Sequence, residues 1–468
     1  MKVIRLALLV FVFLQSNLAT AQQPDTILTF EEYTDRVSEH HPLALQAQLR
    51  SSFGEATLLQ SRAGFEPKAG ADVNQKYFSG DKYYSLIDAG LKVPTWFGVE
   101  LKGGYELNEG KYLNPEHYVP DAGLWYAGIS VPLGQGLFID ERRAALRKAQ
   151  IYAQSTQAEQ KAMLNDLLYE AGKTYWAWFE SFNKLLVYKE AYTTAQLRFE
   201  AIQRSAQLGD RPYIDTLEAS IQVQNRQVSL WDAELEYQNV TAQLGVFLWQ
   251  DGNIPLELED NTTPPSSLTI SSTTVQPELV SQMDSLIDSH PQFLMYNYKV
   301  QELQVERRWK QEQLKPTVDL NYNAIAEPIN GDVMENYSIN NYKWGLSFSM
   351  PILLRKERAG LQLAKLKITE TELQRSTKKA ELQNKAINTI NSWNTTANQV
   401  NQYRKTTQNY NELLQGENRL FNIGESSLFM INSREMAYIN AQIKLVELTA
   451  KNQKAELATQ HALGVLSP

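Results

Sequence analysis

Two stretches of the chain run nearly seventy residues without a proline, from Asp140 to Gln207 and from Arg355 to Asn422. Alanine, leucine, glutamine, lysine and glutamate dominate both, side chains that lose little rotamer freedom in a helix. At about 1.5 Å per residue each predicts a helix roughly 100 Å long. A lone helix of that length has no core of its own, so it must lie against neighbours in a coiled-coil-like array. The three- and four-residue apolar spacing in "LLYEAGKTYWAWFESFNKLLVYKEAY" fits this, though Trp176 and Trp178 blur the stripe.

The pattern changes period between the helical stretches. "FGVELKGGYEL", "LWYAGISVPL", "TVDLNYNAIA" and "NYKWGLSFSM" alternate at period two, with glycines and terminal aromatics. Eleven aromatics fall in the fifty residues from Tyr77 to Tyr126, about twice the chain's average density. Alternation alone would fit a soluble β-hairpin domain equally well, but with tyrosine and tryptophan near the ends and this aromatic density it favours membrane strands with interfacial aromatics. Pro67, Pro132, Pro316 and Pro351 mark the four helix–strand junctions. Proline lacks the N–H that a continuing helix or ladder would use.

These elements are written twice. "HPLALQAQLRSSFGEATLLQSRAGFEPKAGADVN" aligns without a gap on "HPQFLMYNYKVQELQVERRWKQEQLKPTVDLNYN", with His41-Pro42, Pro67 and Asn74 recurring at an offset of 249. Further on the offset becomes 215. There Arg143 matches Arg358, Leu167 matches Leu382, Trp178 matches Trp393, Tyr188 matches Tyr403, Arg204 matches Arg419 and Gly209 matches Gly424. The change locates the one large length difference: 64 residues between the paired prolines of the first repeat (Lys68 to Val131) against 34 in the second (Thr317 to Met350). The expected organisation is a leader at 1–21 and a first repeat at 22–250, with strands at about 68–133 and a helix break near 209. A Pro/Ser/Thr-rich connector follows at 251–278, then a second repeat at 279–468, with strands at about 317–350 and a break near 424.

Four to six strands cannot close a lipid-facing barrel, and an open edge in hydrocarbon leaves unpaired N–H and C=O groups costing several kcal/mol each. The chain is therefore expected to share a barrel with copies of itself. Three copies at four strands each would give twelve. The extra residues of the first repeat are expected to form an extended hairpin or long loops on the outer face.

Lys2 and Arg5, the apolar "LALLVFVFL" and Ala19-Thr20-Ala21 compose a secretory leader cut after Ala21. Without Lys2 and Arg5 there are 43 basic against 53 acidic residues, a charge of about −10, and no basic stripe suited to nucleic acid. There is no cysteine, hence no disulfide and no cysteine-linked lipid. Five histidines (His40, His41, His117, His290, His461) are dispersed. His41 and His290 precede proline at equivalent places, which favours a helix-boundary role over metal ligation. No HExxH, CxxC or phosphate-cradling loop occurs, and no carboxylate pair stands out as an acid/base dyad. We expect no enzyme, no catalytic centre, no metal and no cofactor.

The duplicated "HP…P" helices, the paired "QLGDRPYIDTLEAS" and "NIGESSLFMINSRE", and the junctions "VPLGQG" and "MPILLRKERAG" together resemble the TolC family of outer-membrane efflux and secretion channels. The resemblance spans essentially all of the chain after the leader. It implies a mainly α fold with membrane β: a homotrimer with a shared β-barrel in outer-membrane lipid and a long α-helical coiled-coil tunnel in the periplasm of a Gram-negative bacterium, with the connector at the tunnel's equator. It also implies a passive export conduit of a tripartite efflux or type I secretion system. Its partners would be a periplasmic adaptor protein and an inner-membrane pump of RND, ABC or MFS type.

In that family the two glycine breaks are the periplasmic tips at which adaptor hairpins dock, here Gly209-Asp210 and Gly424-Glu425. A glycine suits a helix end and an acid suits the start of the next helix. Asp215 and Glu218, three residues apart on one face, form a candidate gate ring in a trimer. Relatives carry acids at the corresponding place after the second turn, where this chain has Met430 and Ser433, so any ring rests on the first repeat. The competing reading is a periplasmic coiled-coil structural or adaptor protein without a barrel.

Overall fold

A computed structural model describes residues 26–259, 261–328 and 337–467; the leader assigned to 1–21 lies outside the described residues. Helices α1 (Phe30–His40) and α2 (Pro42–Arg62) lead into strands β1 (Lys68–Phe78), β2 (Asp81–Pro94), β3 (Glu100–Glu109) and β4 (Leu124–Pro132). Long helix α3 (Glu141–Gln207) and return helix α4 (Tyr213–Gly245) follow. After the connector the pattern repeats as α5 (Pro291–Glu312), β5 (Thr317–Ala326), β6 (Tyr342–Ser349), α6 (Arg355–Asn422) and α7 (Leu428–Leu463). The two proline-free stretches are single helices of 67 and 68 residues, so composition and the absence of breakers did specify them.

The chain divides into two compact units, each drawing on both repeats. The helical unit takes in the chain up to Leu45, Leu164–Ser281 and Lys385–Ser467. Its core is aromatic: Tyr33, Tyr175, Trp178 and Phe179 are wholly buried and pack with Leu244 and Leu248. Each fully buried large side chain contributes on the order of 2–3 kcal/mol. Their polar tips are satisfied, as burial requires. The Tyr175 hydroxyl donates to the Leu28 carbonyl at 2.8 Å, Tyr33 to the Ala171 carbonyl at 3.3 Å, and the Trp178 Nε1–H to Thr241 at 3.1 Å. Its repeat mate Trp393 donates to Thr273 at 3.0 Å.

The connector is strapped to these helices by two buried asparagines. Asn183 accepts from the Ser267 N–H at 2.8 Å. Asn452, wholly buried, accepts from the Thr273 N–H at 3.1 Å and donates to the carbonyls of Thr273 and Trp393. An amide with both ends paired holds an otherwise irregular segment in register.

The strand unit takes in Gln46–Met163 and Gln282–Asn384. Its helices pack closely: a Cβ on Gly54 of α2 would stand 2.6 Å from Thr156 Oγ1 and 3.0 Å from the Ala153 backbone of α3. The sheet is six-stranded and antiparallel throughout, in the order β6-β5-β4-β3-β2-β1. The first repeat's extra length is thus a hairpin, β2–β3, zipped into the sheet between β1 and β4. The chain contributes six strands to the sheet, the upper end of the four to six expected from the sequence, whereas the expected total of twelve was reckoned from four per chain. The link from β1 to β2 lies in "SGDK", where Ser79 and Gly80 both take positive φ and turn the chain directly back on itself.

Candidate functional site: two helix turns and a two-faced sheet

Both turns close in the same way. After α3, Gly209 sits at φ +86°, its N–H donates to the Ala206 carbonyl at 3.1 Å, and the Asp210 N–H donates to the Ser205 carbonyl at 3.0 Å. After α6, Gly424 sits at φ +80°, its N–H reaches the Phe421 carbonyl at 3.1 Å, and the Glu425 N–H reaches the Leu420 carbonyl at 2.9 Å. This is the Schellman closure, which needs a left-handed residue after the helix and so selects glycine. Asp210 and Glu425 serve it through their N–H groups. Their exposed carboxylates stand two residues ahead of the next helix caps, Pro212 and Ser427, and so are not the capping groups.

Those caps differ. Ser427 accepts from the Met430 N–H at 3.3 Å, whereas Pro212 offers no side-chain acceptor. The first repeat instead places Asp215 in the opening turn of α4, where a carboxylate opposes the helix dipole. Asp215 also lies 3.6 Å from Arg211, whose guanidinium stacks on Phe421 at 4.2 Å from the ring centroid. Glu218 accepts from the Asn432 amide at 2.9 Å. Both candidate ring carboxylates therefore have partners within their own chain.

Beside them is a cluster that residue-by-residue reading of the sequence missed. Arg198 of α3 grips Glu435 of α7 with both terminal nitrogens, at 2.6 and 3.2 Å, and contacts Asn432 at 3.4 Å. Arg226 of α4 is buried close by, against the Met436 sulfur at 3.4 Å. Burial pulls the Arg226 guanidinium below its ordinary pKa and Arg198 adds to this, while Glu435 acts in the opposite direction. One buried carboxylate thus pairs with Arg198 and also acts at longer range on the charge of Arg226.

The two HP pairs act as expected. His41 Nδ1 accepts from the Leu43 N–H at 3.1 Å, and His290 Nδ1 accepts from the Gln292 N–H at 3.2 Å, each capping the helix that its proline opens. Burial lowers the pKa of His41, whose ring stacks on Phe247.

At the junctions, Pro67 and Pro316 immediately precede β1 and β5, Pro132 ends β4, and Pro351 follows β6. Past Pro132 the chain keeps pairing, Leu133 N–H to the Val318 carbonyl and Gln135 N–H to that of Pro316, both at 2.7 Å. Arg143, buried in the first turn of α3, then gathers the loop by donating to the Leu137 and Gly136 carbonyls.

Registered pairing sorts the strand residues onto two faces. One carries Lys68, Asp72, Asp88, Lys92, Lys102, Glu106, Asn321 and Lys343. The other carries Val73, Ile87, Leu91, Leu101, Ile129, Leu320, Leu346 and Phe348, with Trp125, Tyr322 and Trp344 among them. The apolar face is openly exposed, Phe348 at 69% and Trp344 at 62%. An apolar surface of this extent on a sheet whose other face is charged suits lipid on one side and water on the other. On the polar face Tyr126 of β4 lies across Gly104 and Gly90 to donate to Asp88 at 2.9 Å; a Cβ at either glycine would stand within 2.7 Å of its hydroxyl. No helix among the described residues is long and apolar enough to cross a membrane.

Long paired helices, Schellman-closed turns and a two-faced antiparallel sheet with open edges are the features by which the chain compares with known proteins. Residues 283–465 match the family described as outer membrane efflux protein, and the resemblance read from the sequence is borne out. The match is to an efflux protein and not to an enzyme. Among curated proteins, none matches the chain by sequence.

Solved structures share the fold at low identity. The Neisseria gonorrhoeae MtrE outer membrane channel in its open state is 13% identical with a TM-score of 0.68, over 94% of this chain and 89% of that one. The Campylobacter jejuni CmeC outer membrane channel is 13% identical with a TM-score of 0.65, over 94% and 86%. The Vibrio cholerae outer membrane protein VceC is 13% identical with a TM-score of 0.63, over 93% and 96%.

Proposed function

We propose that the protein is an outer-membrane efflux channel, a passive conduit anchored by its strands in the outer membrane of a Gram-negative bacterium, with its helices in the periplasm. The observation that carries this is the registered sheet: six strands with one apolar and one charged face, and an open edge at each end. Such a sheet is stable in lipid only when copies of the chain close it.

The working particle is a homotrimer in a tripartite efflux or type I secretion assembly. The turns at Gly209-Asp210 and Gly424-Glu425 receive a periplasmic adaptor, which couples the channel to an inner-membrane pump. Three Asp215–Glu218 faces meet at the entrance and separate when it opens. Their in-chain partners, Arg211 and Asn432, supply the groups against which such a movement would work.

The test is the mass of the detergent-extracted protein by light scattering, corrected for bound detergent, together with its partition between membrane and soluble fractions. A mass three times the chain, from the outer-membrane fraction alone, is expected. A soluble monomer or dimer would overturn the channel reading in favour of a periplasmic coiled-coil protein.

A further inference from the structure

The sheet contains more than its six strands and two edges: its register records how the strands cross the membrane. Lys68, the first residue of β1, lies on one rung with Lys92, Lys102, Gly128, Asn323 and Lys343. Counted from that rung, the helix-proximal end of each strand falls progressively further away. The offset is zero at Lys68, two residues at Pro94 and at Glu100, four at Pro132, and six at Thr317 and at Ser349.

Pro94 and Glu100 flank the β2–β3 turn, which joins no helix, yet it falls on the line drawn by the four ends that do. The hairpin therefore traverses the same slab as the other strands. A stagger of six residues over the five spacings between six strands, at ~3.3 Å per residue and ~4.8 Å per spacing, corresponds to a tilt of about 40°, within the range of closed membrane barrels.

The edges are complementary in direction. β1 and β6 run antiparallel, because six strands separate into three up and three down. A copy placed beside the first thus continues an antiparallel ladder without a break. With the helix-proximal ends level, Lys68 of one copy faces Ser349 of the next. Gly70 then faces Ser347 and Asp72 faces Gly345, which keeps polar residues opposite polar and apolar opposite apolar. Every residue of both edge strands is exposed in the single chain.

We propose that β1 of each copy pairs with β6 of the next in this register, and that the closed barrel holds eighteen strands, six from each of three chains, with the β2–β3 hairpin in its wall. The proposal rests on the trimeric channel reading above. A barrel's diameter grows roughly in proportion to its strand number, and sixteen to eighteen strands leave an aqueous channel. The membrane passage of this protein is accordingly wide, suited to bulky solutes, with the polar face of the hairpin lining the water.

The absence of native cysteine makes the test direct. Gly70→Cys and Ser347→Cys are combined in one chain, each single variant serving as control, after the mass of each particle has been measured. A Cβ at Gly70 meets nothing within 4 Å. The double variant alone is expected to cross-link under mild oxidation into a ladder ending at three chains. Single cysteines at Ile87, Asp88, Leu91 and Lys92 are expected to alternate in reactivity toward a water-soluble maleimide, with 88 and 92 labelled and 87 and 91 protected.

A ladder ending at two chains would mean twelve strands and overturn the proposal. So would particles of three-chain mass in which neither this pair nor Asp72→Cys with Gly345→Cys cross-links, and so would uniform labelling along the hairpin. A soluble monomer in the initial mass measurement would instead remove the channel reading, and the proposal with it.

Discussion

The turn after α3 and the turn after α6 share the same two closing hydrogen bonds and nearly the same glycine φ, whereas between the paired prolines the first repeat folds four strands and the second two. A helix end has few solutions: four carbonyls need donors and one residue must turn left-handed, so 215 residues of separation changed little. A sheet is less exacting. Inserting one strand would reverse the direction of everything after it, but inserting a hairpin returns the chain to the same side, and β4 still runs down into α3.

The largest expected effect follows from undoing that difference. Deleting Asp81–Glu109 leaves a loop from β1 to β4 and gives the first repeat two strands, like the second. Trimers are expected to persist, with a barrel about two thirds as wide in end-on electron micrographs, in proportion to strand number. A deletion variant that no longer enters the membrane would show that the hairpin is required for assembly and not merely an addition to the wall.

Next in size is the buried cluster present at the first turn's helices. Glu435→Gln takes the carboxylate away from half-buried Arg198 and from the neighbourhood of buried Arg226, a loss on the order of 3–5 kcal/mol. It is expected to raise hydrogen exchange through the ends of α3, α4 and α7. Ser220 is the residue 215 positions earlier, and Ser220→Ala is expected to leave exchange nearly unchanged. Equal responses would mean that Glu435 has no special place.

These two cases separate what was legible in the sequence from what was not. The limits of α3 and α6 could be read from Asp140 to Gln207 and from Arg355 to Asn422, because helix propensity and breakers are local. The strand number was left open between two and four for the first repeat, because "SGDK" and "PTWFG" are turn signals whether or not the hairpin joins the sheet. The cluster was not legible at all: Arg198 and Glu435 are 237 residues apart, and which faces of α3 and α7 meet is set by packing, not by either helix's own period. A weak signal existed in the repeat itself. Arg198, Arg226 and Asn432 stand where the other repeat has Leu413, Ala441 and Leu217, and a charge or amide at an otherwise apolar position of a duplicated pattern has to be answered by a partner.

Smaller effects test whether the turns are as alike as their bonds. A Cβ at Gly209 or Gly424 meets nothing within 4 Å, so alanine at either costs only the left-handed backbone, about 1–2 kcal/mol. Gly209→Ala and Gly424→Ala are expected to increase local exchange equally. Their starting caps are expected to part them: Ser427→Ala loses a side-chain acceptor, about 1 kcal/mol, while Pro212→Ala loses none.

The smallest effect concerns His41, which caps α2 with an unprotonated Nδ1 while its ring is buried against Phe247 and hydrogen-bonded to the Val246 backbone. Burial lowers its pKa in the folded chain, so between the ordinary value of about 6.5 and that lowered value the unfolded chain holds a proton that the folded chain does not. Stability therefore falls as pH drops through this window, and protonation at Nδ1 would also remove the acceptor for Leu43. Asparagine retains a capping oxygen and does not titrate. His41→Asn is expected to flatten the decline in melting temperature between pH 7 and pH 5 relative to the unaltered protein, all other titrating groups being common to both. Identical slopes would show that protonation of His41 contributes nothing to the loss of stability in this window.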